Sequence, residues 1–105
     1  MQMARVAGTV VSTQKDPKLV GLKLQLVQPL DIITGNDSGR PLVAVDTVGA
    51  GIGDVVMIVG GSSARQTDRT ASSPVDLAIV SIIDLVEVDG KTVYDRRGFT
   101  GEGSK

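Results

Sequence analysis

Residues 46–65, with the sequence DTVGAGIGDVVMIVGGSSAR, constrain the fold of this chain more than any other stretch. A glycine-rich turn leads into five consecutive apolar residues, 55–59, and a Gly-Gly pair then ends that run. Glycine is typical of positions that need a positive φ angle or a close backbone approach, and a short apolar run between such breaks is typical of a buried strand. The stretch has no histidine, no cysteine and no nucleophile beside a base. It therefore indicates architecture rather than a reaction centre.

The strand signals along the chain predict an all-β fold. The five main predicted strands are residues 4–13, 22–26, 42–48, 54–59 and 77–88. In the second of them leucines alternate with Lys23 and Gln25, which predicts a half-buried strand. Gly8 predicts a bend or bulge in the first strand. Asp89-Gly90 predicts a two-residue hairpin that returns along residues 92–94. We expect a small five-stranded β-barrel, similar in shape to the oligonucleotide-binding fold, with a C-terminal β-hairpin.

The connections between the strands are more polar. Residues 29–41 end in a run of turn-forming residues and predict an exposed, mobile loop. Residues 62–66 predict one helical turn, because Ser63 and Gln66 have the spacing of a capping box. Residues 96–105, rich in glycine and charge, predict a frayed tail. The expected organisation is one domain over residues 1–97 and a flexible tail over residues 98–105.

Two of the predicted strands lack a polar face. Residues 55–59 and 77–83 are apolar at nearly every position, a pattern typical of strands that are buried on both faces. A small barrel has only one dry side, and no helix long enough to cover the other is predicted. Because most soluble oligomers are symmetric assemblies of one chain, the sequence predicts that another copy covers the second face.

Composition excludes several classes of function. A net charge of −1 gives no general attraction to nucleic acid or to anionic lipid. The chain has no histidine, the commonest general base, and no cysteine, so we expect no catalytic site, no metal and no cofactor. No apolar run is long enough to span a membrane and no signal peptide is evident, which favours the cytoplasm. The alternative is a barrel that binds a small molecule or nucleic acid, but Tyr94 and Phe99 are the only aromatic residues.

Two local patterns invite a binding interpretation. The glycines of residues 49–53 resemble a dinucleotide fingerprint, but their spacing is one residue short and a strand follows where a helix is needed. A tight turn is the better interpretation. Arg65 follows in an apolar region. It is either a solvated arginine at a loop edge or, as we favour, a ligand-binding or inter-subunit arginine that pairs with Asp46, Asp76 or Asp84. Asp76 and Asp84 cannot form an acid–base pair within one strand, since their separation of eight residues spans roughly 26 Å.

Taken together, several segments of the chain resemble the EutN/CcmL family of bacterial microcompartment vertex proteins. The matching segments are residues 6–13 (VAGTVVST), 22–24 (LKL), 43–54 (VAVDTVGAGIGD), 61–65 (GSSAR) and 74–84 (PVDLAIVSIID). The resemblance covers about residues 3 to 95, with the motifs in order. Ser81 replaces a glycine that is common in the family, and the residues after Arg97 lie outside the common pattern.

The resemblance implies a five-stranded barrel that assembles into a homopentamer and closes the vertex of a polyhedral shell tiled by hexameric shell proteins. In the family, loops near the five-fold axis form a narrow axial opening. We therefore expect the glycine-rich turn to lie near that axis or at the neighbouring subunit, with Arg65 as an inter-subunit ion-pair donor. Pentamer and hexamer both remain open for the isolated protein. The candidate interface or pore residues are Gly49, Ala50, Gly51, Gly53, Ser62, Ser63, Arg65, Asp76 and Asp84.

Overall fold

The computed structural model describes residues 1–13, 17–61 and 76–100, and within these ranges the strands form two sheets. The first sheet is a closed barrel of five strands in the order β1-β2-β3-β5-β4. Its strands are β1 (Gln2–Val10), β2 (Lys23–Pro29), β3 (Leu42–Asp46), β4 (Val55–Gly60) and β5 (Leu77–Ile82). A 3-10 turn, Pro17–Leu19, precedes β2. The predicted all-β, five-stranded barrel is confirmed.

The second sheet follows the barrel and is called the C-terminal sheet. It consists of β6 (Leu85–Val88), β7 (Lys91–Asp95) and β8 (Gly98–Phe99), in that order. Asp89 and Gly90 form the predicted hairpin turn between β6 and β7, with φ angles of 51° and 77°. Positive φ at both central residues is the geometry that suits the twist of a two-residue hairpin.

Strand pairing explains how the barrel closes. β1 pairs antiparallel with both β2 and β4, and β3 pairs parallel with β5 through Val45 and Ala78. The register between β1 and β2 shifts between Val6 and Gly8, so the bulge predicted at Gly8 is confirmed. Such a bulge bends a strand and increases its twist, which a small closed barrel needs.

Small and β-branched side chains fill the barrel interior. The central cluster consists of buried residues from all five strands together with Ala50: Ala4, Val6, Val27, Ala44, Ala50, Val56, Ile58 and Ile79. The inward face of β2 carries Gln25 and Val27, whereas Leu24 and Leu26 are only partly buried. The strand predicted here is present, but the prediction of its faces is wrong: Gln25 and Val27 face the interior, and the leucines lie on the other face.

The second face of β4 is covered largely from within the chain, which corrects the prediction that another copy covers it. Val59 packs in a cluster with Val45 and Ala78, covered by leucines of residues 19–24. Val55 packs with Met3 and with Tyr94 of the C-terminal sheet. The end of β5 is less protected: Val80 packs against the outer cluster and Ile82 against the central one, both only partly buried, and Ser81 between them is exposed.

The course of residues 77–100 differs from the prediction. Residues 77–88 do not form one strand: β5 ends at Ile82, Ile83 donates a backbone hydrogen bond to Val55, and β6 starts at Leu85. Residues 96–100 do not fray, because β8 pairs with β7. The loop of residues 29–41 is exposed yet built from hydrogen bonds. In it the amides of Thr34 and Ile33 bind the Asp31 carboxylate and lower its pKa. The predicted helical turn at residues 62–66 lies outside the described residues.

Candidate functional site

The glycine loop, residues 47–54 between β3 and β4, is organised by the carboxylate of Asp46. This side chain is only 3% exposed. Its Oδ1 accepts the amides of Val48 and Gly49 at 2.9 and 3.0 Å, and its Oδ2 accepts the amide of Ala50 at 2.8 Å. An aspartate that binds the amides following it stabilises a turn, and Gly49 supplies the positive φ angle of 78° that this turn uses.

Gln25 ties the same loop to the end of the barrel. Its side chain is 1% exposed, and Nε2 donates to the carbonyl oxygen of Ala50 at 2.9 Å and to Asp46 Oδ2 at 3.4 Å. Its Oε1 accepts the hydroxyl of Thr9 at 3.1 Å. The network thus joins β1, β2, β3 and the loop. No buried side-chain nitrogen or oxygen in the described ranges is left without a hydrogen bond, as a buried polar network requires.

The second half of the loop is held by Asp54. Its Oδ2 accepts the amide of Gly51 at 2.8 Å, and its own amide donates to the Gly51 carbonyl at 3.0 Å. The backbone of residues 53 and 54 also exchanges hydrogen bonds of 2.8 and 2.9 Å with Val6. The loop is therefore fixed at both ends, and it presents the apolar side chain of Ile52, 70% exposed, at its tip.

The hydrogen bonds of the glycine loop argue against a bound phosphate. Phosphate-binding loops direct several backbone amides at the anion. Here the amides of Val48, Gly49, Ala50 and Gly51 already donate to the carboxylates of Asp46 and Asp54, and β4 rather than a helix follows. The interpretation as a tight turn is therefore supported by the structure.

The structure brings only part of the predicted interface set together. Gly49, Ala50, Gly51 and Gly53 share the glycine loop, although the side chain of Ala50 is buried in the barrel core and is not available to a neighbour. Asp76 and Asp84 are exposed at opposite ends of the β5 region. Asp84 faces Arg96 at 3.6 Å, and Asp46 is engaged by the loop amides and Gln25. Ser62, Ser63 and Arg65 lie outside the described residues.

Sequence reasoning missed Gln25 and Arg96, which both hold the loop. The alternation of Gln25 with leucines predicts that it lies on the polar face of β2. The sequence predicts that Arg96 lies in the frayed tail of residues 96–105, yet its guanidinium lies 3.5 Å from Asp54 Oδ1. The available sequence signal for Gln25 was a polar residue between two leucines in a predicted strand.

A cleft of about 250 Å³ lies between the barrel and the C-terminal sheet, and three arginines line it. Each faces a carboxylate: Arg5 faces Asp37, Arg97 faces Asp95, and Arg96 faces both Asp54 and Asp84. The cleft therefore has no excess of positive charge that would select an anion. No three metal-ligating side chains group together within the described ranges.

The two aromatic rings pack against each other rather than facing a ligand. The centroids of Tyr94 and Phe99 are 4.8 Å apart, and Tyr94 is 5% exposed. Burial raises the pKa of the Tyr94 hydroxyl. Single-strand binding needs exposed aromatic platforms, so this pair does not support the alternative of a nucleic-acid-binding barrel.

An apolar groove of about 210 Å³ lies on the outer face of β2, β3 and β5. Its lining includes Leu19, Leu24, Val43 and Leu77, with Asp76 at the rim. Val43 is 47% exposed and its neighbour Leu42 is 38% exposed. Apolar surface is therefore exposed at this groove. None of the described helical segments is long and apolar enough to cross a membrane.

Comparison with known proteins gives consistent matches over most of the chain. The model of the family described as "Ethanolamine utilisation protein EutN/carboxysome" matches residues 1–84. The carboxysome shell vertex protein CcmL of Gloeobacter violaceus is 44% identical over 101 residues, which cover 92% of this chain and 96% of the relative. The bacterial microcompartment shell vertex protein EutN of Salmonella typhimurium is 43% identical, covering 91% and 96%.

Solved structures agree with this result. The structure of Gloeobacter violaceus CcmL superposes with a TM-score of 0.87 at 43% identity, covering 92% of this chain and 99% of that one. The structure described as the GrpN pentameric microcompartment shell protein from Rhodospirillum rubrum gives a TM-score of 0.76 at 45% identity, covering 84% and 99%.

Proposed function

The chain belongs to the EutN/CcmL family of bacterial microcompartment shell vertex proteins, and we propose that five copies of it form a ring that closes a shell vertex. The family is structural and not enzymatic. The observation that carries the proposal is the superposition on a solved shell protein described as pentameric, over 84% of this chain. A layer of hexagonal units is flat, and a five-fold unit gives it the curvature that it needs to close.

An odd-numbered ring constrains the contacts between its subunits. A two-fold contact joins identical patches, whereas a five-fold ring needs head-to-tail contacts in which two different patches of the chain meet. We propose that the apolar groove lined by Leu19, Leu24, Val43 and Leu77 is one of these patches. Support comes from the apolar surface left exposed beside it, where Val43 is 47% and Leu42 38% exposed.

We further propose that the glycine loop faces the five-fold axis or the adjacent subunit. Gly51 has room for a side chain within its own subunit: an added Cβ would have Asp54 Oδ2, at 3.7 Å, as its nearest neighbour, and its φ angle is not in the left-handed region. Glycine at this position is therefore not required by the fold of the single chain. A close approach of neighbouring backbones would explain it.

The proposed ring is tested first by native mass. Native mass spectrometry or light scattering should give about 55 kDa, five times the 10.9 kDa of one chain. A stable monomer would contradict the proposal. A mass near six chains would retain the shell assignment and show that the isolated protein forms a hexamer.

The role of the glycine loop is tested by substituting Gly51 with alanine and with valine. We expect both variants to keep the fold of the subunit but to shift the ring toward smaller species, valine more strongly because it is larger. Gly8→Ala is the matched control, because an added Cβ there also meets only ordinary contacts, of 3.9 and 4.0 Å with Leu26. If Gly51→Val assembles with the mass and dissociation midpoint of the parent, the loop lies away from the axis and from the neighbour.

The remaining proposed contacts follow from the family resemblance. We propose Ser62, Ser63, Arg65, Asp76 and Asp84 as interface candidates, with Arg65 as an inter-subunit ion-pair donor. Breaking a buried pair costs about 3–5 kcal/mol, so Arg65→Ala should lower the dissociation midpoint of the ring markedly, and an unaltered midpoint would exclude this role. We also propose hexameric shell proteins as partners. Co-expression should yield closed shells, and open sheets or tubes without this chain.

A further inference from the structure

The C-terminal sheet is connected to the barrel by contacts of its own. The hydrogen-bonding of the barrel ends near Ile83, whose amide donates to the Val55 carbonyl at 2.8 Å. From Leu85 onward the chain forms a separate sheet, and this sheet lies beyond the residues 1–84 that match the family model. Its position is therefore set by the side chains that contact the barrel and the loops beside it.

Phe99 is the first of these contacts. Its ring lies over Gly35 so closely that a Cβ on Gly35 would come within 2.5 Å of the ring carbons. The same ring packs against Tyr94, and the amide of Thr100 donates to the Val93 carbonyl at 3.0 Å behind it. The end of the C-terminal sheet is thereby anchored to the loop of residues 29–41.

Arg96 is the second contact, and it reaches the glycine loop. One of its terminal nitrogens lies 3.5 Å from Asp54 Oδ1 and the other lies 3.6 Å from Asp84 Oδ1. The second oxygen of Asp54 accepts the amide of Gly51 at 2.8 Å. A single carboxylate therefore binds both the backbone of the loop tip and the guanidinium of the C-terminal sheet.

We propose that the C-terminal sheet acts as a strap that sets the conformation of the glycine loop, with Arg96 as the positioning residue that transmits its effect. Arg96 holds the Asp54 carboxylate in the orientation that binds the Gly51 amide. A displacement of the C-terminal sheet then loosens the loop tip, and a partner that immobilises this sheet stiffens it. The coupling lies within one subunit and does not depend on the ring, so its test is separate from the mass measurement.

The expected size of the effect follows from the exposure of the groups. Of the three side chains joined by these ion pairs, Asp54 is the least exposed, at 24%. Arg96 and Asp84 are 54% and 84% exposed. Ion pairs with this much solvent contribute little. We therefore expect loss of Arg96 to raise the exchange rate of the Gly51 amide about two- to fivefold, because exchange reports local opening.

Millisecond-resolved hydrogen–deuterium exchange of the full-length protein tests the proposal. Arg96→Ala should accelerate exchange at Gly51 within the glycine loop. Arg97→Ala is the matched control, because this substitution removes the same charge from the next position. Arg97 pairs with Asp95 inside the C-terminal sheet, and its side chain is 92% exposed. Arg97→Ala should leave the exchange rate of the Gly51 amide unchanged. Arg96→Lys, which keeps the charge, should restore part of the protection.

Two further measurements separate positioning from packing. Asp54→Asn keeps a carbonyl oxygen for the Gly51 amide but removes the charge that faces Arg96, so Arg96→Ala should have no added effect in that background. The difference between the parent and Arg96→Ala should also shrink in about 1 M salt, where the screening length falls to about 3 Å. Equal exchange in Arg96→Ala and the parent would overturn the proposal. So would equal acceleration by Arg97→Ala, or an undiminished effect in the Asp54→Asn background.

Discussion

Replacing Asp46 with asparagine tests how the glycine loop is held. The two side chains have nearly the same shape, so the change leaves no cavity and isolates the hydrogen bonds. One amide oxygen can still accept two of the four donors around Asp46, but the new NH₂ group then faces the remaining pair. In the observed geometry that pair is the Ala50 amide and Gln25 Nε2.

The expected loss of stability comes mainly from the Ala50 amide. This donor is buried, and an unsatisfied buried donor costs about 1–3 kcal/mol. Gln25 keeps its bond to the Ala50 carbonyl, so its contribution is smaller. The neutral side chain also forms weaker hydrogen bonds with the amides of Val48 and Gly49. We expect Asp46→Asn to lower the free energy of unfolding by about 2–3 kcal/mol, and Asp46→Ala by more, because all four donors lose their acceptor.

Urea denaturation at fixed chain concentration measures this loss. With a slope typical of a chain of this size, the midpoint should fall by about 1–2 M. Repeating the titration at a second concentration separates any contribution of assembly from that of the subunit. Asp37→Asn is the control, because this exposed carboxylate faces Arg5 at 3.6 Å and should contribute at most about 1 kcal/mol. If Asp46→Asn is as stable as the control, the carboxylate is not what holds the loop.

Two other residues give predictions that depend on the C-terminal sheet. Gly35→Ala should lower the melting temperature, because a Cβ would meet the Phe99 ring at 2.5 Å and the φ angle of +75° disfavours a side chain. We expect the free energy of unfolding to fall by about 1–3 kcal/mol. An unchanged melting temperature would show that the ring moves away freely. Tyr94 gives a pH dependence: burial raises its pKa above the ordinary value of 10.0, so the folded state holds this proton more tightly than the unfolded state does. The stabilisation is complete below pH 10 and is lost as the pH rises through the folded-state pKa. Tyr94→Phe should remove this part of the alkaline loss in a denaturation series, and an identical pH profile would contradict the assignment.

The features that sequence predicted correctly are those with a local cause. The apolar residues 55–59 lie between glycine breaks, and together with Gly60 they form β4. Asp89 and Gly90 accept positive φ angles, and they form the hairpin turn. Gly8 marks the bulge in β1. In each case the conformation is decided by a few neighbouring residues, so a short stretch of sequence carries the information.

The features that sequence missed depend on contacts between distant parts of the chain. Gln25 faces inward because the Ala50 carbonyl, the Asp46 carboxylate and the Thr9 hydroxyl meet there, and none of these partners is adjacent in sequence. Residues 77–83 are apolar except for Ser81, and the strand pattern continues to residue 88, so the sequence gives little sign that the strand ends at Ile82. That end arises because Ile83 bonds to Val55 and the chain then leaves the barrel to cover Met3 and Val55.

The rigidity of the glycine loop bears directly on the proposed ring. If five such loops converge at one axis, each must be ordered, and ordering a flexible loop costs roughly 1–2 kcal/mol for every residue fixed. Asp46, Gln25 and Asp54 already order residues 48–54 within the subunit, so this cost is met during folding rather than during assembly. Asp46→Asn should consequently weaken the ring more than the loss of subunit stability alone accounts for, provided the loop lies at a contact. If the ring of Asp46→Asn dissociates only under conditions that also unfold its subunits, the loop lies outside the interface.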